Sequence, residues 1–258
     1  MPSYVWELAK EVLLAYALVA SVLLYDRVKG LEIGRELLIT SVASLLQLFF
    51  IGFVILYLVK LDVIWFNLVT VVVMTFNAAL IAARRFELSA YGGKEVLLLS
   101  FLAIALVNYL LLTLYLLVGI VKPKAQMLIP FAGLLLAAGM RSISLFSQYL
   151  RDLILRERKI LEEMFALGAS EEVVGNYLLK KAIPLATVVI RDMLRAAGIV
   201  HIPGVMVGLL IAGTPPLKAA ALQFLVLASM LFSMFFTPVV FFNLVLKFKG
   251  LYLEGEKP

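Results

Sequence analysis

The chain has 258 residues, of which 64% are hydrophobic and 16% charged, and its mean hydropathy is +1.06. A soluble domain carries about 45–50% apolar and about 25% charged residues, so the composition excludes a soluble globular protein and predicts an integral membrane protein. The formal net charge is +6, an excess that we assign to cytoplasmic loops rather than to a nucleic-acid partner. The absence of cysteine excludes disulfides and thiolate metal sites.

Seven apolar stretches are long enough to cross a membrane, because a spanning helix needs about 20 residues in a hydrocarbon core about 30 Å thick. We place the spans at residues 5–25, 37–59, 63–83, 96–121, 125–147, 188–213 and 219–246. The predicted fold is an all-α polytopic bundle of about seven transmembrane helices. We expect one domain over residues 1–258 that lies in the cell membrane, in contact with lipid.

Positive charges are distributed unevenly between the two sides of this bundle. Five fall at the N-terminal end and in the connections after the even-numbered spans: Lys10, Lys60, Lys122, Lys124 and Lys218. Fifteen fall on the other side: Arg27, Lys29, Arg35, Arg84, Arg85, Lys94, Arg151, Arg156, Arg158, Lys159, Lys180, Lys181, Lys247, Lys249 and Lys257. Because cytoplasmic loops carry the Lys and Arg excess, we predict an external N-terminus and a cytoplasmic C-terminus.

The longest polar connection, about residues 148–187, lies on the predicted cytoplasmic side. Apolar residues recur at helical spacing before Gly168, which is a residue suited to ending a helix. Ser170 is a good N-cap for a second helix, with Glu171 and Glu172 at its positive end. The connection therefore predicts a cytoplasmic helix–turn–helix elbow.

The turn of this elbow reads Glu-Glu-Met-Phe-Ala-Leu-Gly-Ala-Ser from Glu162 to Ser170. It resembles the coupling motif of ATP-binding cassette (ABC) permeases, in which a Glu and a Gly six positions later mark a helix that docks on the ATPase subunit. The resemblance implies that the ATPase-coupling residues are Glu162, Glu163, Leu167, Gly168, Ala169 and Ser170. An ordinary helix C-cap is the alternative for the same nine residues.

Further stretches between residues 40 and 228 resemble the Fet-type ABC permeases, a family of bacterial iron exporters and plant aluminium-sensitivity permeases. They include Gln47-Leu48, Phe76-Asn77-Ala78-Ala79, Ile129-Pro130 and the run from Gly198 to Gly208. The resemblance implies a permease subunit that exports a metal ion such as iron, with a nucleotide sugar as the plant-family alternative. Three positions depart from the family: Ala137 and Ala138 replace its usual Gly-Asn, and His201 replaces a small residue.

The resemblance also implies the partners. No Gly-x-x-x-x-Gly-Lys-Ser/Thr loop is present, since Gly93-Lys94 is followed by Glu95, so we expect no enzymatic activity and no cofactor in this chain. ATP and Mg²⁺ are expected in a separate ATPase subunit. Two copies of the permease are expected per complex, because two ATPase subunits each need an elbow.

Polar residues within the spans are candidates for the transport path, because a charge at mid-helix costs about 2.5–3.5 kcal/mol. The candidate path residues are Gln47, Asn77, Met140, Asp192, Arg195, His201, Pro203, Gly204 and Met206. Asp192 and Arg195 are close enough to pair on a helix, and a buried structural pair is the alternative role. His201 is the single histidine and has helix packing as its alternative; any metal site remains unassigned, because such sites need three or four ligands.

These residues do not determine the substrate class. A bare divalent ion needs several oxygen or nitrogen ligands, whereas Arg141, Arg191 and Arg195 suit an anionic solute or a chelated metal better. A secondary transporter without an ATPase is a further alternative, although the sequence has no second copy of the Pro-Gly segment at Pro203.

Overall fold

A computed structural model describes residues 2–61, 63–86 and 93–251. These residues form ten helices and no β-strand: α1 (Pro2–Lys29), α2 (Gly34–Leu61), α3 (Ile64–Arg84), α4 (Gly93–Leu117), α5 (Ala125–Arg156), α6 (Arg158–Ala166), α7 (Glu171–Ala186), α8 (Val188–Ala196), α9 (Gly204–Ile211) and α10 (Pro216–Lys249). Seven helical segments are long and apolar enough to cross a membrane. The prediction of an all-α bundle with about seven spans is confirmed.

The chain divides into two compact units, Met1–Asp62 and Val63–Pro258. In the first unit α1 and α2 form a hairpin, and the carboxylate of Asp26 accepts hydrogen bonds from the backbone N–H groups of Ile33 (3.2 Å) and Gly34 (2.9 Å). Asp26 thereby satisfies donors that the start of α2 leaves free. A side chain at position 34 is excluded, since a Cβ there would lie 2.5 Å from Asp26 Oδ2. That the chain is one domain stays a prediction.

The second unit is built around α5, which packs against α3, α4, α7 and α10. Its core is aliphatic and aromatic, and Phe146 of α5 meets Phe242 of α10 edge-on at a ring-centroid distance of 5.4 Å. Phe86, just after α3, meets Phe241 at 5.3 Å. Because Phe241 and Phe242 are adjacent on α10, the end of α3 lies at about the same height in the bundle as Phe146 on α5.

A polar cluster joins α4, α5 and α10 in the middle of this core. The side-chain amide of Asn108 donates to the carbonyl of Ile104 (2.8 Å), and the Ser233 hydroxyl donates to Asn108 Oδ1 (2.7 Å). Gly139 lies against both side chains: a Cβ there would be 3.0 Å from Asn108 Nδ2 and 3.3 Å from Ser233 Oγ. Close backbone approach of this kind is how membrane helices pack through small residues.

The predicted placement of the sixth span at residues 188–213 is wrong. The sixth candidate span is Glu171–Ala196, which comprises α7 and α8. Residues 197–203 are not helical, and α9, with 8 residues, is only about 12 Å long. The elbow is correspondingly shorter than the predicted 148–187, because α5 continues to Arg156 and α7 already belongs to the span.

The reason for this difference lies in α7. The sequence predicts a cytoplasmic helix outside the membrane for this segment, because Lys180 and Lys181 make it polar, but Val174, Leu178 and Ala182 are fully buried in the core. Both lysines, counted above as loop charges, lie within the sixth candidate span. Lys257, counted with them, lies outside the described residues, and the orientation of the termini stays a prediction.

Candidate functional site

The elbow turns at Gly168, between α6 and α7. Gly168 has φ +87°, a left-handed conformation that favours glycine. Its N–H donates to the carbonyl of Phe165 and the N–H of Ala169 donates to that of Met164, both at 2.9 Å. These two bonds form a Schellman motif, which satisfies the last carbonyls of α6 and gives the turn a defined geometry.

The N-terminus of α7 is capped as the sequence predicts. The hydroxyl of Ser170 accepts from the backbone N–H of Val173 at 3.4 Å, and Glu171 and Glu172 occupy the first turn. The Glu171 carboxylate also accepts from the backbone N–H of Leu251, at 3.2 Å. The elbow is thereby tied to the chain just after α10.

The outer surface of the elbow combines an apolar tip with acidic side chains. Leu167 is 88% exposed, and Val173 is exposed in the first turn of α7. Glu162 and Glu163 are exposed on α6, where Glu162 accepts from Arg158 Nε at 2.7 Å. A large apolar side chain held in water by a rigid turn and rimmed by charge is typical of a protein-docking surface.

A hydrogen-bonded cluster, Glu157–Tyr177–Lys181, holds the start of the elbow against α7. Lys181 Nζ donates to Glu157 Oε1 at 2.5 Å, and the Tyr177 hydroxyl donates to Glu157 Oε2 at 2.7 Å. Lys181 also donates to the Tyr177 hydroxyl, at 2.7 Å. The bond from Lys181, followed by that from Tyr177, holds the pKa of Glu157 below its ordinary value of 4.5. Glu157 is the residue between α5 and α6, so the cluster fixes this joint.

Sequence reasoning missed this cluster, because Glu157 lies 20 and 24 residues from its partners. The one local signal is the spacing of Tyr177 and Lys181, which puts them on the same face of a helix.

The predicted path residues are dispersed. Asp192 and Arg195 form the expected pair, with Arg195 Nη1 at 3.1 Å from Asp192 Oδ1 on an exposed face of α8. Asn77 is exposed on α3, where its amide donates to the carbonyl of Val73 at 2.9 Å. Met140 is half-buried on α5, and Gln47 belongs to the first unit.

His201 lies outside the sixth span, in the non-helical segment 197–203, so its predicted position in the middle of that span is wrong. The side chain is exposed, and the carbonyl of His201 accepts from the N–H of Gly198 at 2.9 Å. Pro203 is the N-cap of α9, which begins at Gly204. The backbone N–H of Met206 donates to Gln223 Oε1 at 3.0 Å, which links α9 to α10.

An apolar pocket of about 240 Å³ lies between α5, α9 and α10, lined in part by Pro130, Phe131, Leu209 and Val226. Within residues 2–61, 63–86 and 93–251, no three His, Cys, Asp or Glu side chains come together as a metal site would require. The described side chains therefore offer an apolar pocket and scattered cations, and no cluster of three such ligands.

Comparison with known families decides the class of this protein. The model of the family described as "Uncharacterised protein family (UPF0014)" matches residues 9–248. The chain belongs to this family. The predicted resemblance to the Fet-type permeases is confirmed, and the chain is a multi-pass membrane protein of a family that includes a permease.

Three relatives illustrate the family. The chain is 29% identical over 213 residues to "Probable iron export permease protein FetB" of Escherichia coli, covering 83% of this chain and 81% of that protein. It is 28% identical over 217 residues to "Protein ALUMINUM SENSITIVE 3" of Arabidopsis thaliana, covering 84% and 77%. It is 27% identical over 213 residues to "UPF0014 membrane protein STAR2" of rice, covering 83% and 73%. No solved structure matches the chain.

Proposed function

We propose that this protein is the permease subunit of an ABC transporter and that a separate ATPase subunit energises it. The elbow carries the proposal: Gly168 sets a rigid turn that exposes Leu167 within an acidic surface, in the segment that resembles the coupling motif. The proposed topology has the N-terminus outside and the elbow in the cytoplasm. ATP and Mg²⁺ are bound by the ATPase subunit, and this chain binds no cofactor of its own.

The contacts around the elbow support a mechanical role. A force on α6 reaches α7 through the hydrogen bonds of Glu157 to Tyr177 and Lys181, and it reaches the end of α10 through Glu171 and Leu251. Both α7 and α10 pack on α5. A displacement of the elbow by the ATPase therefore moves packed spans rather than a loose loop. Two copies of the chain supply the two elbows that a pair of ATPase subunits requires.

The first substrate that we propose is a metal ion such as iron, moved outward. The support is the similarity to the probable iron export permease of Escherichia coli over most of both chains. Because the described residues of one chain hold no cluster of three His, Cys, Asp or Glu side chains, a bare ion would need ligands from both copies, or backbone carbonyls together with the amide of Gln47 or of Asn77.

An anionic solute is the second candidate, whether an organic anion, a nucleotide sugar or a metal in an anionic chelate. Exposed Arg141, Arg191 and Arg195 favour it, because guanidinium groups bind carboxylates and phosphates in a bidentate manner. Stimulation of the ATPase in liposomes by free metals, metal chelates and nucleotide sugars separates these candidates. A secondary transporter would transport without any ATPase.

Copurification with an ABC ATPase tests the elbow. Glu162→Lys and Gly168→Pro should abolish pairing while the chain still inserts into membranes, since the first reverses a docking charge and the second forbids the left-handed turn. Asp152→Lys is the matched control, because Asp152 is likewise an exposed carboxylate in an i,i+4 pair with an arginine. If both elbow variants still copurify and transport, the proposed coupling site is wrong.

A further inference from the structure

One face of α5 is only partly covered by the other helices of the second unit and carries neither Leu, Ile, Val nor Phe. The residues of this face, here named the α5 stripe, are Gln126, Pro130, Gly133, Ala137, Arg141, Ser144 and Gln148. They recur every three or four positions, so they lie on one side of the helix. All seven are exposed or half-buried. The stripe extends over about 33 Å, close to the thickness of a bilayer core.

The outward face of α4 gives the contrast. Between Val96 and Leu112 the exposed residues of α4 are Leu98, Leu102, Leu106 and Leu110. That is the composition expected against lipid, which solvates leucine at no cost. The α5 stripe has small or polar residues where the outward face of α4 has leucine, so the composition of the stripe does not fit a lipid-facing surface.

Three long polar side chains of the stripe lack partners. Gln126, Arg141 and Gln148 make no side-chain hydrogen bond or ion pair with any residue that the structure describes. Arg141 lies five residues, or about 7.5 Å, before Phe146, which is near the level at which α3 ends. The backbone of Arg141 therefore lies deeper in the membrane than the level at which α3 ends. An unpaired cation there is stable only if water or an anion reaches it.

We propose that the α5 stripe lines a water-filled transport path and that Arg141 binds the carboxylate or phosphate group of the transported solute. This inference rests on the proposed function and selects the anionic candidate. Helical side chains lean toward the helix N-terminus, so Arg141 extends toward Ala137 and the apolar pocket beside Pro130. The path thus offers a cation next to an apolar surface, which suits an organic anion or a chelate.

The absence of native cysteine makes the proposal directly testable. Single variants Ala137→Cys and Ser144→Cys are reconstituted as full-length protein in phosphatidylcholine liposomes and labelled with anionic and cationic methanethiosulfonates, which react with thiolates in water. Leu106→Cys and Leu110→Cys on α4 are matched controls facing lipid. We expect the two α5 variants to react and the two α4 variants to stay unlabelled.

The ratio of anionic to cationic labelling rates at Ala137→Cys tests the role of Arg141. Ala137 lies one helical turn away, at about 6 Å, so Coulomb's law in water predicts that Arg141→Gln lowers the ratio of anionic to cationic labelling rates about tenfold. An unchanged ratio overturns the role of Arg141. If the preference disappears when phosphatidylglycerol is added to the liposomes, a lipid headgroup occupies Arg141 and the assignment to a solute is wrong.

Two results overturn the water-filled path itself. In the first, Ala137→Cys and Ser144→Cys react no faster than the α4 controls. In the second, they resist labelling but form disulfide-linked dimers on oxidation, which means that the stripe is packed against a second copy. Neither result depends on an ATPase, so a failure here is distinct from a failure of the elbow to bind one.

Discussion

Replacing Gly139 by alanine tests the packing that holds α4, α5 and α10 together. The added Cβ would lie 3.0 Å from Asn108 Nδ2, 3.2 Å from Thr237 Oγ1 and 3.3 Å from Ser233 Oγ. Asn108 and Ser233 are hydrogen-bonded to each other and to backbone carbonyls. They therefore cannot give way without loss of those bonds, and the strain falls on the helix contacts.

The magnitude follows from two opposing effects. Overpacking a core by one methyl group costs about 1–3 kcal/mol, whereas alanine gains about 0.5–1 kcal/mol over glycine inside a helix. Gly133→Ala, in the same helix, is the matched control: its one neighbour within 4 Å is the terminal Cε of the flexible Met74 side chain, at 3.0 Å. The helix gain cancels between the two variants, so Gly139→Ala should be less stable than Gly133→Ala by about 1–3 kcal/mol.

Unfolding in mixed micelles by titration with sodium dodecyl sulfate, followed by far-ultraviolet circular dichroism, measures this difference. A second variant checks the cause. Thr237 Oγ1 is buried and has no hydrogen-bond partner among the residues that the structure describes, so Thr237→Ala should restore part of the stability that Gly139→Ala loses. If Gly139→Ala unfolds at the same detergent fraction as Gly133→Ala, the close approach of these helices is refuted.

At pH 7, Glu157→Gln should lower the unfolding temperature, because the bonds of the carboxylate to Lys181 and Tyr177 lower the pKa of Glu157 and stabilise the folded protein. This contribution to stability is complete above pH 4.5 and is lost as the pH falls below that value. A difference in unfolding temperature between Glu157→Gln and wild type that stays constant in acid therefore contradicts the assignment. Native mass spectrometry should give two copies of this chain per two ATPase subunits; one copy per two ATPases is incompatible with one elbow per chain. His201→Ser should reduce stimulation of the ATPase by the transported solute, and unchanged stimulation removes His201 from the path.

Short-range features of this protein were predictable from sequence because neighbouring residues determine them. Apolar length gave the number of spans, since crossing the bilayer requires about 20 residues whatever the tertiary fold. The turn at Gly168 and the cap at Ser170 depend on backbone groups within five residues. The pairing of Asp192 with Arg195 depends only on helical spacing.

The position of the sixth span was decided by tertiary structure. The lysines of α7 suggested a cytoplasmic helix outside the membrane, but one of them, Lys181, is neutralised by Glu157, 24 residues earlier. Gly175 permits the approach of Leu246, whose Cδ1 would lie 2.5 Å from a Cβ at that position. Conversely, the apolar run after Gly198 suggested a span but forms a loop and the short α9.

The same division applies to the candidate site. The sequence alone determined the turn at Gly168 and the cap at Ser170, because their motif is contiguous, and it identified Arg141 as a cation within a span. Tertiary structure decided that Arg141 is exposed on α5 and that Glu157 joins the elbow to α7. The physical reason is that burial and charge pairing depend on residues brought together by packing across tens of positions, which local hydropathy and spacing do not encode.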